Sequence, residues 1–485
     1  MALVLPALLC LASGLALVCL ACPRRGPIAS DLTLRASLSV GYGLGIFSLV
    51  FFLSRAFAVT NLVAVDPAVF SLLLITFLLL RNRPRTPSTS PPPTETLDLP
   101  RWLQRMLTAA FAVSLCAAVY SAVMRTLTHP HGDGWDAFSI WNLHARFLFR
   151  AGPYWRDGFN ALIPWSHPDY PLLLPAAIAH FWNYLGCDDT TVPAVIGFLF
   201  TFSTVGLMFS ALSILRGRTS AMLGSLALLT TPFFVELGTS QYADVPLSFF
   251  VLATISLFCL HDDRGKEASA SRQPGLLVLA GLAAGFAAWT KNEGLLFLCA
   301  ILAARVLILL RPEIRRDPSR AVPRENLPRE NWIALATHLV AVAPAFLLIA
   351  WFKHSIAPPG DLFSDPATAF HRLIDPTRFW AILRWYGKGF LRFGHWLLIP
   401  GTLLLPGLYF ATGLERTRRP QAGFRSSVLA LVLTFAGYFA IYLITPYDIY
   451  WHLRFSLTRL FLHLWPSTIF LFFLVFPCGT AARRR

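Results

Sequence analysis

Apolar runs of about twenty residues, the length that carries a helix across a bilayer, recur through this sequence from one end to the other. They occupy Ala2 to Ala21, Ala36 to Val59, Leu62 to Leu80 and Trp102 to Leu127, and then Val192 to Leu215, Ser220 to Leu237 and Ala243 to Leu260. Six more follow: Gly275 to Thr290, Gly294 to Leu310, Trp332 to Phe352, Phe393 to Ala411, Ser426 to Ile444 and Leu460 to Pro477. Inside a bilayer there is no water to bond the backbone, so such runs must close their own hydrogen bonds as helices. The expected fold is an all-α polytopic membrane protein with about thirteen spans. With 55% hydrophobic and 14% charged residues, the composition excludes an ordinary soluble domain.

A net charge of +16 raises the question of nucleic acid, which the placement of the basic residues answers. They sit in short connections between apolar runs, where they orient a membrane protein, and not along a groove. Arg24/Arg25/Arg35, Arg81/Arg83/Arg85, Arg216/Arg218, Arg264/Lys266/Arg272, Arg311 to Arg329, Arg416/Arg418/Arg419/Arg425 and Arg483 to Arg485 form these clusters. All fall on one side only if the short apolar run Tyr170 to Leu185 does not cross, so it is expected to be a juxtamembrane helix. The first run lacks a basic leader and a cleavage site, and reads as a retained helix. The eight cysteines are scattered and mostly apolar in setting, and the lone Cys19/Cys22 pair is weak evidence for metal.

Four regions are expected: a three-helix segment over 1–80, a Pro-rich cytoplasmic linker over 81–101, a catalytic core over 102–352, and C-terminal helices over 353–485. The one long polar stretch rich in aromatics is His131 to Pro175. It places Asp133 and Asp136 just beyond an apolar run, at the water boundary. Asp136 opens a helical pattern with Ala137, Ile140, Trp141 and Leu148 on one side and Asn142, Arg146 and Arg150 on the other, expected to lie along the membrane surface. An N-cap role is the bland alternative for either acid.

The predicted topology brings Thr239 to Asp244, the turn Lys291-Asn292-Glu293, and the loops Lys353 to Arg392 and Pro446 to Arg459 to the face that carries Asp136. Ionisable residues at membrane depth cost roughly 2.5–3.5 kcal/mol each on insertion scales, so they usually line a functional cavity. The segment from Asp375 reads as an interfacial helix, with Asp375 as cap, Pro376 first, and Arg384, Lys388 and Arg392 four apart. Attraction to anionic headgroups is its simpler reading and phosphate binding in a site the sharper one. Trp135, Trp141, Trp155 and Trp165 are denser than an anchoring belt requires, and flat aromatic faces suit sugars.

Four motifs carry a family resemblance: DGWDAFSIWNLHARFLF, HPDYPLLLP, YADVPLSFF at Tyr242 to Phe250 and GFAAWTKNEGLLF at Gly285 to Phe297. In their order and spacing they resemble the C-type glycosyltransferase (GT-C) superfamily. Within it the likeness is to the family-39-like branch of protein O-mannosyltransferases and the lipid A aminoarabinose transferase. The resemblance spans roughly Trp102 to Arg311, with a weaker echo at Tyr447 to Pro466. It implies a GT-C-like helical fold and transfer of a sugar from a polyprenyl-phosphate carrier to an acceptor on the outer face of the cytoplasmic membrane.

The resemblance also implies an essential acid at the start of the first outer loop, Asp136 with Asp133 as runner-up, and a second acid, Asp244, from the second outer loop. Lys291, Glu293, His167, Asp169, Arg146, Arg454 and Arg459 are the expected substrate-binding residues, the cations because a departing phosphate gathers negative charge. Some superfamily members bind a divalent cation at such acids and others do not, so metal is left open. Sugar, acceptor (protein, lipid or glycan) and oligomeric state are also open. A polytopic transporter or lipid-linked-sugar flippase is the alternative, although no internal repeat is visible and the acids lie at helix ends, not at the midplane. A catalytically dead scaffold is a third.

Overall fold

The computed structural model describes residues 2–22, 26–59, 61–81, 100–263, 274–310, 327–363, 366–396 and 421–476, with isolated positions between 403 and 409. The described residues are mostly helical, with no strand among them. Three helices come first: α1 (Val4–Ala21), α2 (Ile28–Ala56) and α3 (Leu62–Arg81). After α4 (Arg101–Thr128) comes the polar stretch, built from a π turn (Ala137–Trp141), α5 (Asn142–Arg150), two 3-10 turns and α6 (Leu173–Leu185). The centre of the bundle is α7 (Thr191–Arg216), α8 (Arg218–Leu229), α9 (Pro232–Thr239), α10 (Asp244–Asp262), α11 (Pro274–Thr290) and α12 (Asn292–Leu310). It is completed by α13 (Leu327–Ser355), α14 (Pro366–Leu373), α15 (Pro376–Arg392), α16 (Ala422–Ile444) and α17 (Ile449–Val475).

Nine described helices are long and apolar enough to span a bilayer, or ten if α8 and α9, bent by 66° at Thr230–Thr231, count as one. Ala64–Leu80 and α11 are shorter apolar helices. The expected count of thirteen is therefore not reached among the described residues. Most of the run Phe393 to Ala411 and most of the basic connections, including the Pro-rich linker, lie outside them. At 13 residues, α6 is too short to cross, in keeping with a juxtamembrane helix.

Small residues let the first helices enter the bundle. A Cβ on Gly14 of α1 would stand 2.1 Å from the Ser39 carbonyl oxygen, and one on Gly43 of α2 would stand 2.3 Å from that of Cys10. Such contact between backbones is how helices associate where lipid competes for every apolar surface. On either side of Gly43 along α2, Gly41 receives Phe249 of α10 and Gly45 receives Phe286 of α11. The Tyr42 hydroxyl donates to the Leu279 carbonyl at 2.6 Å.

The core helix is α10, whose spanning window is wholly buried. It begins at Asp244, so the one acid of its first turn lies where the bundle meets the polar stretch.

Candidate active site

Two turns bring the polar stretch against the start of α10. Gly132 and Gly134 have φ of +86° and +88°, a region that suits glycine, and neither position has room for a side chain. A Cβ on Gly132 would lie 2.4 Å from the Ala137 Cβ and 2.8 Å from the Ser240 carbonyl oxygen; one on Gly134 would lie 2.5 Å from the Tyr242 hydroxyl. The opposing loop is itself bent at Gln241, with φ +61°. The Asn142 side-chain amide donates to the Gln241 side-chain carbonyl at 2.8 Å, and the Gln241 amide donates to the Pro130 carbonyl at 3.0 Å. These bonds hold the two loops in register.

Asp136 and Asp244 meet across that junction, joined by Arg459 of α17. The guanidinium donates from Nη1 to Asp136 Oδ2 at 2.7 Å, and from Nε and Nη2 to the two oxygens of Asp244 at 3.2 and 2.9 Å. One planar fork thus serves one carboxylate bidentately and a second through its remaining nitrogen. One turn farther along the helix, His463 Nε2 lies 2.7 Å from Asp244 Oδ1. Lys291 Nζ is 3.3 Å from the same oxygen and 3.2 Å from Glu293 Oε1. Asp244 and His463 are fully buried, whereas the Asp136 side chain keeps 22% of its surface open and Arg459 keeps 18%. Asp136 is the most open carboxylate of the group; Glu293 keeps 15% of its side-chain surface, and its second oxygen is buried without a partner.

Aromatic rings line the cluster. Arg459 lies over the Tyr242 ring at 4.8 Å and Lys291 over the Trp141 ring at 6.0 Å. Tyr170 stacks on Trp141 at 5.7 Å, and His167, whose backbone is left-handed at φ +48°, stacks on Tyr170 at 4.8 Å. Burial and the charge of Asp136 push the Tyr242 phenol up to about 12, and burial together with Glu293, Asp169 and Asp136 raises Tyr170 well above its ordinary range. Both rings are therefore neutral hydrogen-bonding walls at ordinary pH.

A second polar knot adjoins the first through the turn Lys291-Asn292-Glu293. The Asn292 amide donates to Asp169 Oδ2 at 2.8 Å, and Lys353 Nζ donates to Asn292 Oδ1 at 2.8 Å and to Asp169 Oδ2 at 3.2 Å. The HPDYP segment is thereby tied to the end of α13 and to the residue between Lys291 and Glu293.

Of the residues the sequence proposes, the structure brings Asp136, Asp244, Lys291, Glu293 and Arg459 into one connected cluster, with His167 and Asp169 at its edge. Three lie elsewhere. Asp133 forms an ion pair with Arg125. Arg146 is held by Asp188 at 2.9 Å and lies over Trp182 at 6.0 Å. Arg454 is exposed, over its neighbour Phe455 at 5.6 Å. Among the four tryptophans, Trp141 and Trp155 are core residues, while Trp135 and Trp165 are 57% and 53% exposed. In the helix after Asp136, Asn142 and His144 are buried along with Ile140, Trp141 and Leu148, because α6 and the 3-10 turns cover that side of it.

Sequence reasoning missed His463, Tyr242 and Lys353. For His463 a signal existed, since Arg459 and His463 stand four apart on an apolar run and so share one helix face. Among the described residues, no group of three or more His, Cys, Asp or Glu side chains is placed to hold a metal ion.

Residues 166–350 match the family model of the dolichyl-phosphate-mannose-protein mannosyltransferases. Over that segment the GT-C resemblance drawn from the motifs is borne out. No curated protein sequence matches the chain. Among solved structures, the chain is similar to ArnT from Cupriavidus metallidurans, crystallised with undecaprenyl phosphate, at 16% identity and a TM-score of 0.44. The match covers 76% of this chain and 59% of that one.

Proposed function

We propose that this multi-pass membrane protein is a glycosyltransferase that moves a sugar from a polyprenyl-phosphate carrier to an acceptor hydroxyl at the outer face of the cytoplasmic membrane. The observation that carries the reading is the convergence of Asp136 and Asp244, from separate connections, on Arg459. The family model that matches 166–350 is named for dolichyl-phosphate-mannose, a polyprenol-linked sugar, as donor and for protein as acceptor.

In this reading the acceptor oxygen forms a bond to the anomeric carbon while the bond from that carbon to the phosphate oxygen breaks. The acceptor proton passes to Asp136, and the negative charge leaves on the lipid phosphate. Asp136 suits the role of base because it keeps an open edge while Arg459 fixes its other oxygen. Asp244, enclosed by Arg459, Lys291 and His463, anchors those donors and does not touch the acceptor. Lys291 and Arg459 are the cationic donors of the cluster, and a departing phosphate would share them with Asp136, Asp244 and Glu293. Tyr242, Tyr170 and His167 form the wall along which the sugar lies, and Arg454, exposed and unpaired with any carboxylate among the described residues, meets the headgroup of the carrier.

The test is Asp136→Asn in membranes supplied with labelled polyprenyl-phosphate sugars. A positioned base contributes about 10²–10⁴-fold, so transfer is expected to fall by at least about 100-fold while yield and thermal unfolding stay as in the wild type. Transfer at the wild-type rate removes Asp136 from the chemistry. Movement of the lipid-linked sugar across the membrane without bond formation indicates a flippase instead.

A further inference from the structure

Helix α15 presents three faces at the rim of the bundle. At about 100° per residue, Ile382, Tyr386 and Gly389 make the inward face, where Gly389 abuts Leu457 and Phe461 of α17. Phe379, Trp380, Leu383, Phe390 and Leu391 make a second, between 43% and 59% exposed. Arg384, Lys388 and Arg392 make the third, one helical turn apart and all exposed. The centres of the three faces lie about 120° apart by the same geometry.

Nothing within the described protein satisfies the cations. No carboxylate among the described residues pairs with Arg384, Lys388 or Arg392, and the helix carries no acid of its own. The one close partner is the Trp385 ring, 5.8 Å from Lys388 Nζ. The helix is nevertheless held firmly. Asp375 caps it by accepting from the Thr377 amide at 2.9 Å, and Arg378 donates to the carbonyls of Tyr442 and Thr445 at 3.2 and 3.1 Å. Its level in the bundle is also fixed, since Leu457 and Phe461 flank Arg459, which stands where α4 has ended and α10 begins. The ends of membrane-spanning helices are where hydrocarbon gives way to headgroups. A helix there with one face in the protein, one apolar face outward and one cationic face has its partner defined by chemistry: apolar chains and phosphates joined in the same molecule.

We propose that α15 is a binding site for anionic phospholipids, with Arg384, Lys388 and Arg392 taking headgroup phosphates and the strip from Trp380 to Leu391 taking the acyl chains. The site does not depend on the glycosyl-transfer reading, because its ligand is the surrounding leaflet. It holds the helix, and with it the α17 wall beside Arg459, against the bilayer surface.

The test uses the full chain in detergent, equilibrated with equimolar phosphatidylglycerol and phosphatidylcholine and read by native mass spectrometry. Each basic residue near an anionic surface is worth on the order of fivefold in partition, so the wild type is expected to retain phosphatidylglycerol preferentially. The variant Arg384→Gln/Lys388→Gln/Arg392→Gln is expected to lose that preference by at least about tenfold. Arg384→Lys/Arg392→Lys, which keeps the charge, is expected to retain it, and single Lys388→Gln to lose part of it, which guards against misfolding of the triple variant. Millimolar inorganic phosphate is expected to leave the bound lipid in place. Equal retention of the two lipids by the wild type, an undiminished preference in the Gln variants, or displacement by inorganic phosphate overturns the proposal.

Discussion

Asp244 has no exposed surface and three neighbours able to donate to it, an arrangement in which each group is tolerable only because the others are present. Removing one member of a buried ionic set leaves uncompensated charge and costs about 3–5 kcal/mol. Asp244→Ala is therefore expected to destabilise the purified protein by about that amount in denaturant unfolding; a loss under about 1 kcal/mol would mean the cations find water or another partner. Asp136→Asn, by contrast, changes a part-exposed group and is expected to spare the fold. Most of the cluster was legible in the sequence, because Asp136 opens the polar stretch just beyond an apolar run while Asp244, Lys291, Glu293 and Arg459 interrupt apolar text. What could not be read was which of them touch. Asp133, the runner-up acid, and Arg146, a further candidate cation, are instead claimed by Arg125 and Asp188.

At the scale of the element, the junction between α4 and α5 decides where Asp136 points. It depends on Gly132, whose backbone is left-handed and whose missing side chain admits Ala137 and the Ser240 carbonyl. Gly132→Ala combines backbone strain with overpacking, each on the order of 1–3 kcal/mol. It is expected to lower thermal stability by about 2–5 kcal/mol and to separate the Asp136 loop from that of Asp244; an unchanged melting temperature would show that the turn relaxes freely. The sequence showed Gly134 only as a letter within a motif and Gly132 only as the residue before it, since a close approach between loops a hundred residues apart leaves no local periodicity. The same limit explains the helix after Asp136. Its apolar stripe was correctly read, but the cover provided by α6, which buries Asn142 and His144 too, belongs to the tertiary structure.

Across the whole molecule, unfolding counts every proton the chain gains or loses. His144 is fully buried, neither ring nitrogen has a hydrogen-bond partner, and burial lowers its pKa from 6.5 to about 3. Below about 6.5 the unfolded chain takes a proton that the folded one refuses until about 3, so this contribution to stability is complete above 6.5 and shrinks as pH falls. Between pH 7 and pH 5 it amounts to about 2 kcal/mol. His144→Leu is expected to flatten the acid side of the stability profile by that amount, measured by melts across this range; an unaltered slope would mean the folded imidazole already carries the proton.

The sequence by itself determined that this chain is a bundle of membrane helices and which polar residues stand out within it, because a bilayer permits apolar runs of that length little but a helix and makes every buried charge conspicuous. Only the tertiary structure decided the pairings. Arg459 reaches Asp244 across 215 positions and Asp136 across 323, distances over which no periodicity survives, and the contact exists because the packing of α10 against α17 places their ends at one level.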